Sequence, residues 1–340
     1  MKDENASSPI EYSLLDFQNE DTGPLFELFD AVYDSSQPLK KRWEWQYLSH
    51  PRVDEVQILV AKDNGKIIGC TSHFPMDLVL DGKHQVGYYG SGSMIHPDYR
   101  RRGIMEKIVA KRAELLPLYY GRGVMPNMFK LLLKFGYRQV HPSNYMVCIV
   151  SLWKWLLRKA RLSQVVGTLS KNVAMTIPGW KLPDRFGEEF DQFWKDVAPE
   201  YPGIVVKDSA YMNWRYVDHP RGDYLPVYQH RDGQLVSVMV LRAAGHVARV
   251  VDFIYDPRFP SEPAESIASV KRYVKRCGFT NLYLWGTLNG LRDALKEQGF
   301  MELSEPHLVG VYTDAKLMDR AADVGRIHFV DGDGDFEFLE

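Results

Sequence analysis

Short runs of apolar and β-branched residues alternate with turn residues through the first half of the chain. These runs predict strands at residues 56–61, 67–70, 76–80, 86–94 and 118–121. Asn64-Gly65 lies between the first two runs and predicts a hairpin, and Asp81-Gly82 predicts a second turn. Apolar residues at helical spacing predict a helix over residues 104–115 and another that starts at Pro126. The pattern therefore predicts a meander of strands, then a helix, a strand and a second helix.

The segment between the fourth strand and the first helix, which we call the arginine loop, reads Ile95-His96-Pro97-Asp98-Tyr99-Arg100-Arg101-Arg102-Gly103-Ile104. In a turn that leads from a strand into a helix, backbone N–H groups converge and the helix dipole adds positive charge. Three arginines add fixed charge, so the segment predicts a binding site for a diphosphate. A basic helix start on a solvated surface is the alternative, because short Arg-Gly matches are common.

The spacing Arg100-x-x-Gly103 after a strand resembles the acyl-CoA pyrophosphate loop of the GCN5-related N-acetyltransferases (GNAT). The order of strands and helices over residues 25–140 is also similar to that family, although Met105 stands where the family has Gly or Ala. The resemblance implies an α/β (α+β) fold with a mixed, mostly antiparallel sheet flanked by helices. It implies acetyl-CoA or another acyl-CoA as a substrate, bound by Met94, Ile95, Arg100, Arg101, Arg102, Gly103, Ile104, Met105 and Asn127.

The same resemblance assigns roles in catalysis. A backbone N–H at Met94 or Ile95 would meet the thioester carbonyl, and Asn127 would contact CoA or cap its helix. The position of the family's usual acid, a tyrosine, holds Leu132, so Tyr119, Tyr120 or solvent would have to protonate the thiolate.

His73 is the first candidate for the base, since an unperturbed histidine pKa of about 6.5 suits proton acceptance near neutrality. A hydrogen-bonded structural histidine is the alternative. His96-Pro97 is typical of turn chemistry.

The chain contains an internal repeat. The first copy contains Trp45, Tyr47, His50-Pro51-Arg52 and Asp54. The second contains Trp214, Tyr216, His219-Pro220-Arg221 and Asp223. The offset between the copies is 169 residues, which is close to half of the 340 residues. This spacing predicts two tandem GNAT-like domains. We expect a disordered tail at 1–10, an acyl-CoA-binding domain at 11–150, a basic linker with a helix at 151–184, a degenerate second domain at 185–330 and an acidic tail at 331–340. Because the His-Pro and Trp/Tyr pairs recur in both copies, we expect them to be structural.

The second copy lacks the features of the arginine loop. Its counterpart reads Tyr255-Asp256-Pro257-Arg258-Phe259-Pro260-Ser261-Glu262-Pro263. The prolines remove N–H donors, Glu262 adds negative charge, and no glycine permits close approach of a diphosphate. We therefore expect the first domain to bind the cofactor and the second to shape the acceptor cleft.

Composition narrows the class of protein. A net charge of −2 and a pI near 6.6 give no electrostatic argument for nucleic acid. The three cysteines stand singly, which is neither a disulfide nor a metal pattern and suits a reducing cytoplasm. The N-terminus has no signal-peptide pattern, and no apolar run reaches about 18 residues. These features predict a cytoplasmic enzyme without a metal.

Two segments stand apart from this picture. Residues 141–183 contain no acidic residue and six basic ones, and tryptophans and leucines accompany the charges between 152 and 162. We expect an interdomain linker there, with contact to a membrane surface through 152–171 or to a phosphorylated acceptor as the alternatives.

Asp331-Gly332-Asp333-Gly334-Asp335 resembles the start of a calcium loop, but Phe336 replaces the required glycine, so we expect a solvated acidic tail.

The function that these features favour is an acyl-CoA-dependent N-acyltransferase, by default an acetyltransferase. The acceptor would be a small amine such as an amino sugar or an amino acid derivative, which attacks the thioester directly. One alternative is a transferase of the related duplicated family that uses aminoacyl-tRNA, against which the near-neutral charge argues. The other is a non-catalytic CoA-binding regulatory protein, which the missing tyrosine at Leu132 would permit.

Overall fold

The computed structural model describes residues 9–34, 36–116, 118–122, 124–162, 164, 166–287, 289–312 and 327–334. The expected tail over residues 1–10 lies almost entirely outside this part of the chain. None of the helices within it is long and apolar enough to cross a bilayer.

Ten α-helices and sixteen strands make up the described chain. The helices are α1 Gly23–Val32, α2 Gln37–Trp43, α3 Ile104–Leu115, α4 Pro126–Lys134, α5 Leu152–Lys159, α6 Lys171–Ala174, α7 Glu188–Val197, α8 Ser209–Met212, α9 Glu262–Arg276 and α10 Asn289–Glu297. The strands are β1 Glu11–Leu14, β2 Gln57–Asp63, β3 Lys66–Pro75, β4 Leu78–Leu80, β5 Lys83–Gln85, β6 Tyr88–Ile95, β7 Tyr119–Arg122, β8 Arg138–Ile149, β9 Trp180–Lys181, β10 Gly203–Val205, β11 Tyr224–Arg231, β12 Gln234–Ala244, β13 Val247–Tyr255, β14 Asn281–Leu284, β15 Met301–Tyr312 and β16 Ile327–His328.

The chain forms two compact units. Unit 1 comprises Met1–Met76, Val86–Arg138 and Gly310–Met318, and unit 2 comprises Asp77–Gln85, Gln139–Val309 and Asp319–Glu340. In unit 1 the strand order is β1-β2-β3-β6-β7, antiparallel except for the parallel pair β6-β7. In unit 2 the order is β8-β14-β13-β12-β11-β9, with β13-β14 the parallel pair, and β16-β10-β4-β5 form a second, small sheet. The mixed, mostly antiparallel α/β fold is the one that the resemblance implied.

The two units repeat the same order of elements, as the internal repeat predicts. Each has a π-helical turn, at Glu44–Leu48 and Asn213–Val217, before an antiparallel hairpin, a third strand and a long helix. The hairpin turns have the same geometry, with φ of 47° and 82° at Asn64-Gly65 and of 51° and 83° at Asp232-Gly233. Two successive positive φ angles are typical of a type I′ turn, which favours Asn or Asp followed by Gly.

Helix α3 has the predicted bounds and packs against the sheet of unit 1. Ile104 and Ile108, one turn apart on one face, form a buried cluster with Leu59 of β2 and Ile68 of β3. The repeated Trp45, Tyr47, Trp214 and Tyr216 are all buried, which confirms the expectation that they are core residues.

The expected strand at residues 76–80 does not belong to the first meander. Strand β4 pairs with β10 and β5, while β3 pairs directly with β6. The chain leaves the sheet after Pro75, and the Met76 N–H donates to the Gly87 carbonyl at 2.8 Å where it returns. The intervening residues form an excursion that the alternation of apolar runs could not distinguish from another strand of the meander.

Residues 151–184 are not a simple linker between domains. Ala174, Ile177 and Trp180 are buried in the main core of unit 2, and β9 pairs with β11. The expectation of a connecting segment was therefore wrong for its second half, which contributes apolar side chains to that core.

We expected the acidic residues at 331 and 333 to be solvated because they are charged. In the structure both side chains are buried. Asp333 Oδ1 lies 2.7 Å from Lys207 Nζ, which also lies 2.8 Å from Asp252 Oδ1. The Tyr145 hydroxyl donates to Asp331 Oδ1 at 2.7 Å. Buried carboxylates need such partners, and here they fix residues 331–334 in unit 2.

Candidate functional site

The arginine loop ends in a left-handed residue that begins helix α3. Gly103 is the N-cap residue, with φ 72° and ψ 8°, and Arg101 also has a positive φ of 64°. Glycine adopts this conformation without steric cost, whereas a Cβ atom would be strained there. The first N–H groups of α3 have no partner within the helix and are directed toward the loop. This is the backbone arrangement that binds a phosphate group.

The three arginines of the loop are exposed and are held in part by the backbone. Arg100 Nε donates to the Ile95 carbonyl at 3.3 Å, and Arg102 Nη2 donates to the Asp98 carbonyl at 2.9 Å. The Arg102 guanidinium also lies 4.8 Å from the centre of the Tyr99 ring. These contacts orient the cations around the loop while leaving their heads open to solvent.

A groove of about 260 Å³ follows the loop. Its lining is drawn from the loop, the first turn of α3 and helix α4, and comprises Ile95, Tyr99, Arg100, Arg101, Gly103, Ile104, Met105, Glu106 and Leu131. The structure thus brings together in one groove most of the residues that the resemblance assigns to CoA, and the groove also contains the carboxylate of Glu106, which was not among the predicted site residues.

His96 has the turn role that the sequence predicts. Its Nδ1 accepts the Asp98 N–H at 3.3 Å at the start of a short 3₁₀ turn, Pro97–Tyr99.

Asn127 does not cap its helix. Helix α4 begins at Pro126 with Met125 as the N-cap residue, so Asn127 is already in the first turn. The expected capping role was therefore wrong, because proline occupies the first helical position. Asn127 is exposed and lies four residues before Leu131, on the helix face that reaches the groove. A contact with CoA stays a prediction.

The strand register distinguishes the two candidate donors for the thioester oxygen. The His96 N–H donates to the Ile68 carbonyl at 2.8 Å, and Met94 pairs with Cys70 two residues further along the same ladder. N–H groups alternate in direction along an antiparallel strand, so Met94 N–H points toward β3 and Ile95 N–H points away from it. Ile95 is therefore the better candidate, and the role proposed for Met94 is reduced to packing.

A β-bulge lies just before this position. The register between β3 and β6 shifts between Cys70 and Ser72, and Gly92 opposite has φ 64°. A bulge bends a strand and redirects the residues next to it. Here it turns Ser93 so that its side chain is exposed and its hydroxyl lies 2.8 Å from that of Thr71.

Strands β6 and β7 pair only at Tyr88–Tyr119 and Tyr89–Tyr120 within the described residues. Beyond this point the Tyr119 hydroxyl occupies the space over Gly90, where any Cβ atom would overlap it. Arg112, buried in α3, lies with its guanidinium 3.9 Å from the centre of the Tyr119 ring, and its Nε donates to the Tyr137 hydroxyl at 2.8 Å. Tyr119 is thus fixed where the two strands separate.

Tyr120 is placed differently. Its hydroxyl donates to the Met76 carbonyl, and its ring is buried edge-on to Tyr89. A backbone acceptor already uses this proton, so we retain Tyr119 as the candidate acid. Leu132, at the family's tyrosine position, is buried in the cluster that contains Tyr119.

His73 lies within β3 and is fully buried. Its Nδ1 lies 3.1 Å from the Gln57 carbonyl, so Nδ1 carries the proton and Nε2 is left as the acceptor. Burial, and then the nearby charge of Arg112, lower the pKa of His73 well below its usual value. The ring is therefore neutral at physiological pH, as a base must be, but it is a weak base without direct access to solvent.

One hydroxyl chain connects His73 with the surface of β6. Nε2 lies 3.5 Å from Thr71 Oγ1, which is 2.8 Å from the exposed Ser93 hydroxyl. Sequence reasoning missed Thr71 and Arg112. Arg112 could have been found, because it is a charged residue on the helix face formed by Ile104, Ile108 and Val109. Nothing in the sequence pattern distinguishes Thr71 from an ordinary strand threonine.

The corresponding loop of unit 2 is occupied by its own charges. Asp256 accepts two hydrogen bonds from the Arg258 guanidinium, at 2.8 and 2.7 Å. Glu262, at the start of α9, is buried and accepts hydrogen bonds from Ser237, Ser266 and Arg231. The carboxylate at the start of α9 is thus buried and held by three hydrogen bonds, whereas Glu106 in the first turn of α3 is exposed.

Comparison with known proteins gives a consistent result. Residues 16–139 match the family model of the acetyltransferase (GNAT) domain, and the sequence has no match among curated proteins. A probable N-acyltransferase from Enterococcus faecalis V583 is 12% identical, with a TM-score of 0.59 over 89% of this chain and 72% of its own. A GCN5-related N-acetyltransferase from Anabaena variabilis is 13% identical, with a TM-score of 0.59 over 88% of this chain and 72% of its own.

Saccharomyces cerevisiae N-myristoyltransferase, solved with bound myristoyl-CoA, is 12% identical, with a TM-score of 0.51 over 91% of this chain and 81% of its own. At such identities these structures share the fold. The family match covers residues 16–139, which include the arginine loop and helix α3, so this segment of the chain is similar to the GNAT domain in sequence and in fold.

Proposed function

We propose that this protein is an N-acyltransferase that transfers an acetyl group from acetyl-CoA to a small amine, such as an amino sugar or an amino acid derivative. The observation that carries the proposal is the open N-terminus of α3 behind Gly103, with three exposed arginines around it. A CoA diphosphate would be bound there by N–H groups and guanidinium groups together. The Ile95 N–H, directed away from β3, would then meet the thioester carbonyl, where a single such donor is typically worth about 3 kcal/mol in the transition state.

The chemistry proposed is direct attack of the amine on the thioester. Cys70 is the cysteine on the strand that pairs with β6, and burial raises the pKa of its thiol to about 12. Such a thiol is a poor nucleophile, so an acyl-enzyme at Cys70 is disfavoured. In the direct reaction the amine nitrogen bonds to the carbonyl carbon, the C–S bond breaks, and the CoA thiolate takes a proton from Tyr119.

The proton lost by the amine needs an acceptor. We assign it to the chain Ser93–Thr71–His73. The Ser93 hydroxyl accepts the amine proton and passes its own proton to Thr71, and the Thr71 hydroxyl passes its own proton to Nε2 of His73. The distances of 2.8 and 3.5 Å support this path, although the second is long for a hydrogen bond at rest. Such bonds commonly shorten only when the substrate is bound.

The test combines binding and turnover with the full chain. Isothermal titration calorimetry with acetyl-CoA should give saturable binding, and a panel of amino sugars and amino acid derivatives should release free CoA thiol. Absence of acetyl-CoA binding would overturn the proposal. Myristoyl-CoA and CoA itself are the controls that separate a preference for acyl length from recognition of the diphosphate alone.

The second candidate is a CoA-binding regulatory protein, favoured by the buried Leu132 in the place of the usual tyrosine. It predicts acetyl-CoA binding without thiol release for any amine in the panel. A transferase that uses aminoacyl-tRNA predicts instead that acylation depends on charged tRNA and not on acetyl-CoA.

A further inference from the structure

Helix α5 in unit 2 presents an apolar face to solvent. Leu152, Trp153 and Leu156 are 61%, 70% and 45% exposed. At about 100° per residue these three side chains fall within an arc of about 100° on one side of the helix. The three exposed apolar side chains of α5 therefore share one side of the helix, whereas Trp155 and Leu157 are half-buried.

The apolar exposure continues after the helix. Leu162, Val166 and Met175 are also strongly exposed, so that six of the fifteen exposed large apolar side chains of the described chain lie between 152 and 175. Single exposed apolar residues are ordinary, but a concentration in one short segment is typical of an interaction surface.

A second side of α5, next to the apolar face, is cationic and also exposed. Arg158 and Lys159, with Trp155 between them around the helix, line a cavity of about 590 Å³ that Arg161 and His246 also line. None of the residues lining it is acidic, and within the described chain no carboxylate lies within ion-pair distance of Arg158, Lys159 or Arg161. Residues 141–183 contain no acidic residue at all. The segment therefore offers several unneutralised cations directly beside an exposed apolar face.

We propose that α5 and the loop after it dock unit 2 onto an anionic bilayer surface. Leu152, Trp153 and Leu156 enter the boundary between headgroups and acyl chains, where the amphipathic indole of tryptophan is favoured. Arg158, Lys159 and Arg161 bind the phosphates of the surrounding lipids, and the cavity that these three residues line accommodates a headgroup. An eight-residue helix is about 12 Å long against a hydrocarbon core of about 30 Å, so α5 lies in the interface and does not cross it.

A lipid surface explains both the exposed apolar face and the cations beside it, whereas a free phosphate explains only the cations. Cations around a cavity would suit either ligand. The exposed tryptophan and leucines would gain nothing from a small anion in water, but they lose unfavourable hydration when they enter a bilayer. The inference concerns unit 2 alone and does not depend on the acyl transfer proposed for unit 1.

The experiment is co-sedimentation of the full chain with vesicles of phosphatidylcholine alone and of phosphatidylcholine with an equal part of phosphatidylglycerol. We expect binding to the anionic vesicles only. The double variant Trp153→Ser/Leu156→Ser should weaken the partition coefficient at least about tenfold. The triple variant Arg158→Gln/Lys159→Gln/Arg161→Gln should weaken it by about fivefold for each cation removed.

Matched controls come from elsewhere in unit 2. Met301→Ser removes an equally exposed apolar side chain, and Lys83→Gln/Lys195→Gln/Lys296→Gln removes the same charge from exposed positions. Both should bind as the unaltered protein does. Because all the substituted side chains are at the surface, thermal unfolding should confirm that every variant is folded.

Three results would overturn the proposal. The first is absence of binding to the anionic vesicles. The second is equal loss in the matched charge control, which would mean that only net charge matters. The third is a pair of observations. Inorganic phosphate binds in calorimetry and the Arg158/Lys159/Arg161 variant loses that binding, while the Trp153/Leu156 variant binds vesicles as the unaltered protein does. This result would make the cavity a site for a dissolved anion.

Discussion

His50 and His219, one in each copy of the internal repeat, accept the same hydrogen bond. Nδ1 of His50 accepts the Arg52 N–H at 3.0 Å, and Nδ1 of His219 accepts the Arg221 N–H at 3.1 Å. Both rings are buried after a π-helical turn, and the residue that follows each is proline. The recurrence of His-Pro in both copies therefore reflects a structural role, as the sequence predicts.

This role makes stability depend on pH. Burial, and then the charge of Arg52, lower the pKa of His50 to about 3. Between about pH 6.5 and 3 the unfolded chain binds a proton here and the folded chain does not, so the free energy of unfolding decreases as the pH falls. His50→Asn keeps an acceptor for the Arg52 N–H and removes the titration.

We expect His50→Asn to be less stable at pH 7 by about 1–2 kcal/mol, from lost packing on Phe74, and to lose less stability on acidification than the unaltered protein. Urea unfolding at pH 7 and pH 5 measures both effects. Equal pH slopes in the two proteins would contradict the assignment.

The sequence predicted those features that local chemistry determines. The Asn64-Gly65 turn needs two positive φ angles, and α3 needs apolar residues at helical spacing, so both could be located from the residues alone. The excursion over residues 77–85 could not, because only the partner strand distinguishes β4 from a strand of the meander. The burial of Asp333 depends on Lys207 and Asp252, which are remote in sequence and meet only in the folded unit.

In the candidate site, too, local features could be predicted from the sequence and features that depend on strand pairing could not. The arginine loop is contiguous, so its residues were found together. The direction of the Ile95 N–H depends on ladder register, and the path from Ser93 through Thr71 to His73 crosses between strands. Neither has a signal in a single sequence.

Gly103 offers a test of the cofactor site with a matched control. Gly103 and Gly82 have nearly equal φ angles, 72° and 71°, and an added Cβ at either meets no atom within 4 Å. Alanine at each position should therefore cost the same backbone strain, about 1–2 kcal/mol. We expect Gly103→Ala to weaken acetyl-CoA binding in calorimetry and Gly103→Pro to abolish it, while Gly82→Ala leaves it unchanged. Unchanged affinity in Gly103→Pro would place the cofactor elsewhere.

Arg258 tests the second copy. Because its guanidinium is paired with Asp256 and the start of α9 is occupied by Glu262, we expect Arg258→Gln to leave the acetyl-CoA affinity unaltered. The measurement is the same titration. A tenfold loss, equivalent to about 1.4 kcal/mol, would mean that unit 2 contributes to cofactor binding.

Tyr119 and Tyr120 form a natural pair for testing the acid. We expect Tyr119→Phe to lower kcat by about a hundredfold while acetyl-CoA affinity stays within twofold, as for loss of a general acid. Tyr120→Phe removes the hydrogen bond to the Met76 carbonyl and should lower stability by about 1 kcal/mol with little effect on kcat. Steady-state kinetics and urea unfolding of both variants separate the two roles. The opposite assignment would follow if Tyr120→Phe lost activity and Tyr119→Phe did not.

Substitution of His73 tests whether this residue accepts the amine proton. If it accepts that proton through Ser93 and Thr71, kcat/KM should fall at low pH as the ring becomes protonated. Burial and Arg112 lower the pKa of His73, so this fall in kcat/KM should occur at a pH below the usual histidine range. It should also occur at a lower pH than the fall caused by protonation of the amine substrate. His73→Gln should remove this fall and reduce the rate by roughly 10²–10⁴-fold with CoA affinity intact.

Thr71→Val, which keeps the branched shape and removes only the hydroxyl, should lose activity in the same way. The neighbouring Ser72→Ala, also buried but outside the chain of hydroxyls, is the control. Full activity with an unchanged pH profile in both His73→Gln and Thr71→Val would mean that the histidine is structural. The base would then be solvent or another hydroxyl of β6, because a ring without a path to the substrate cannot take its proton.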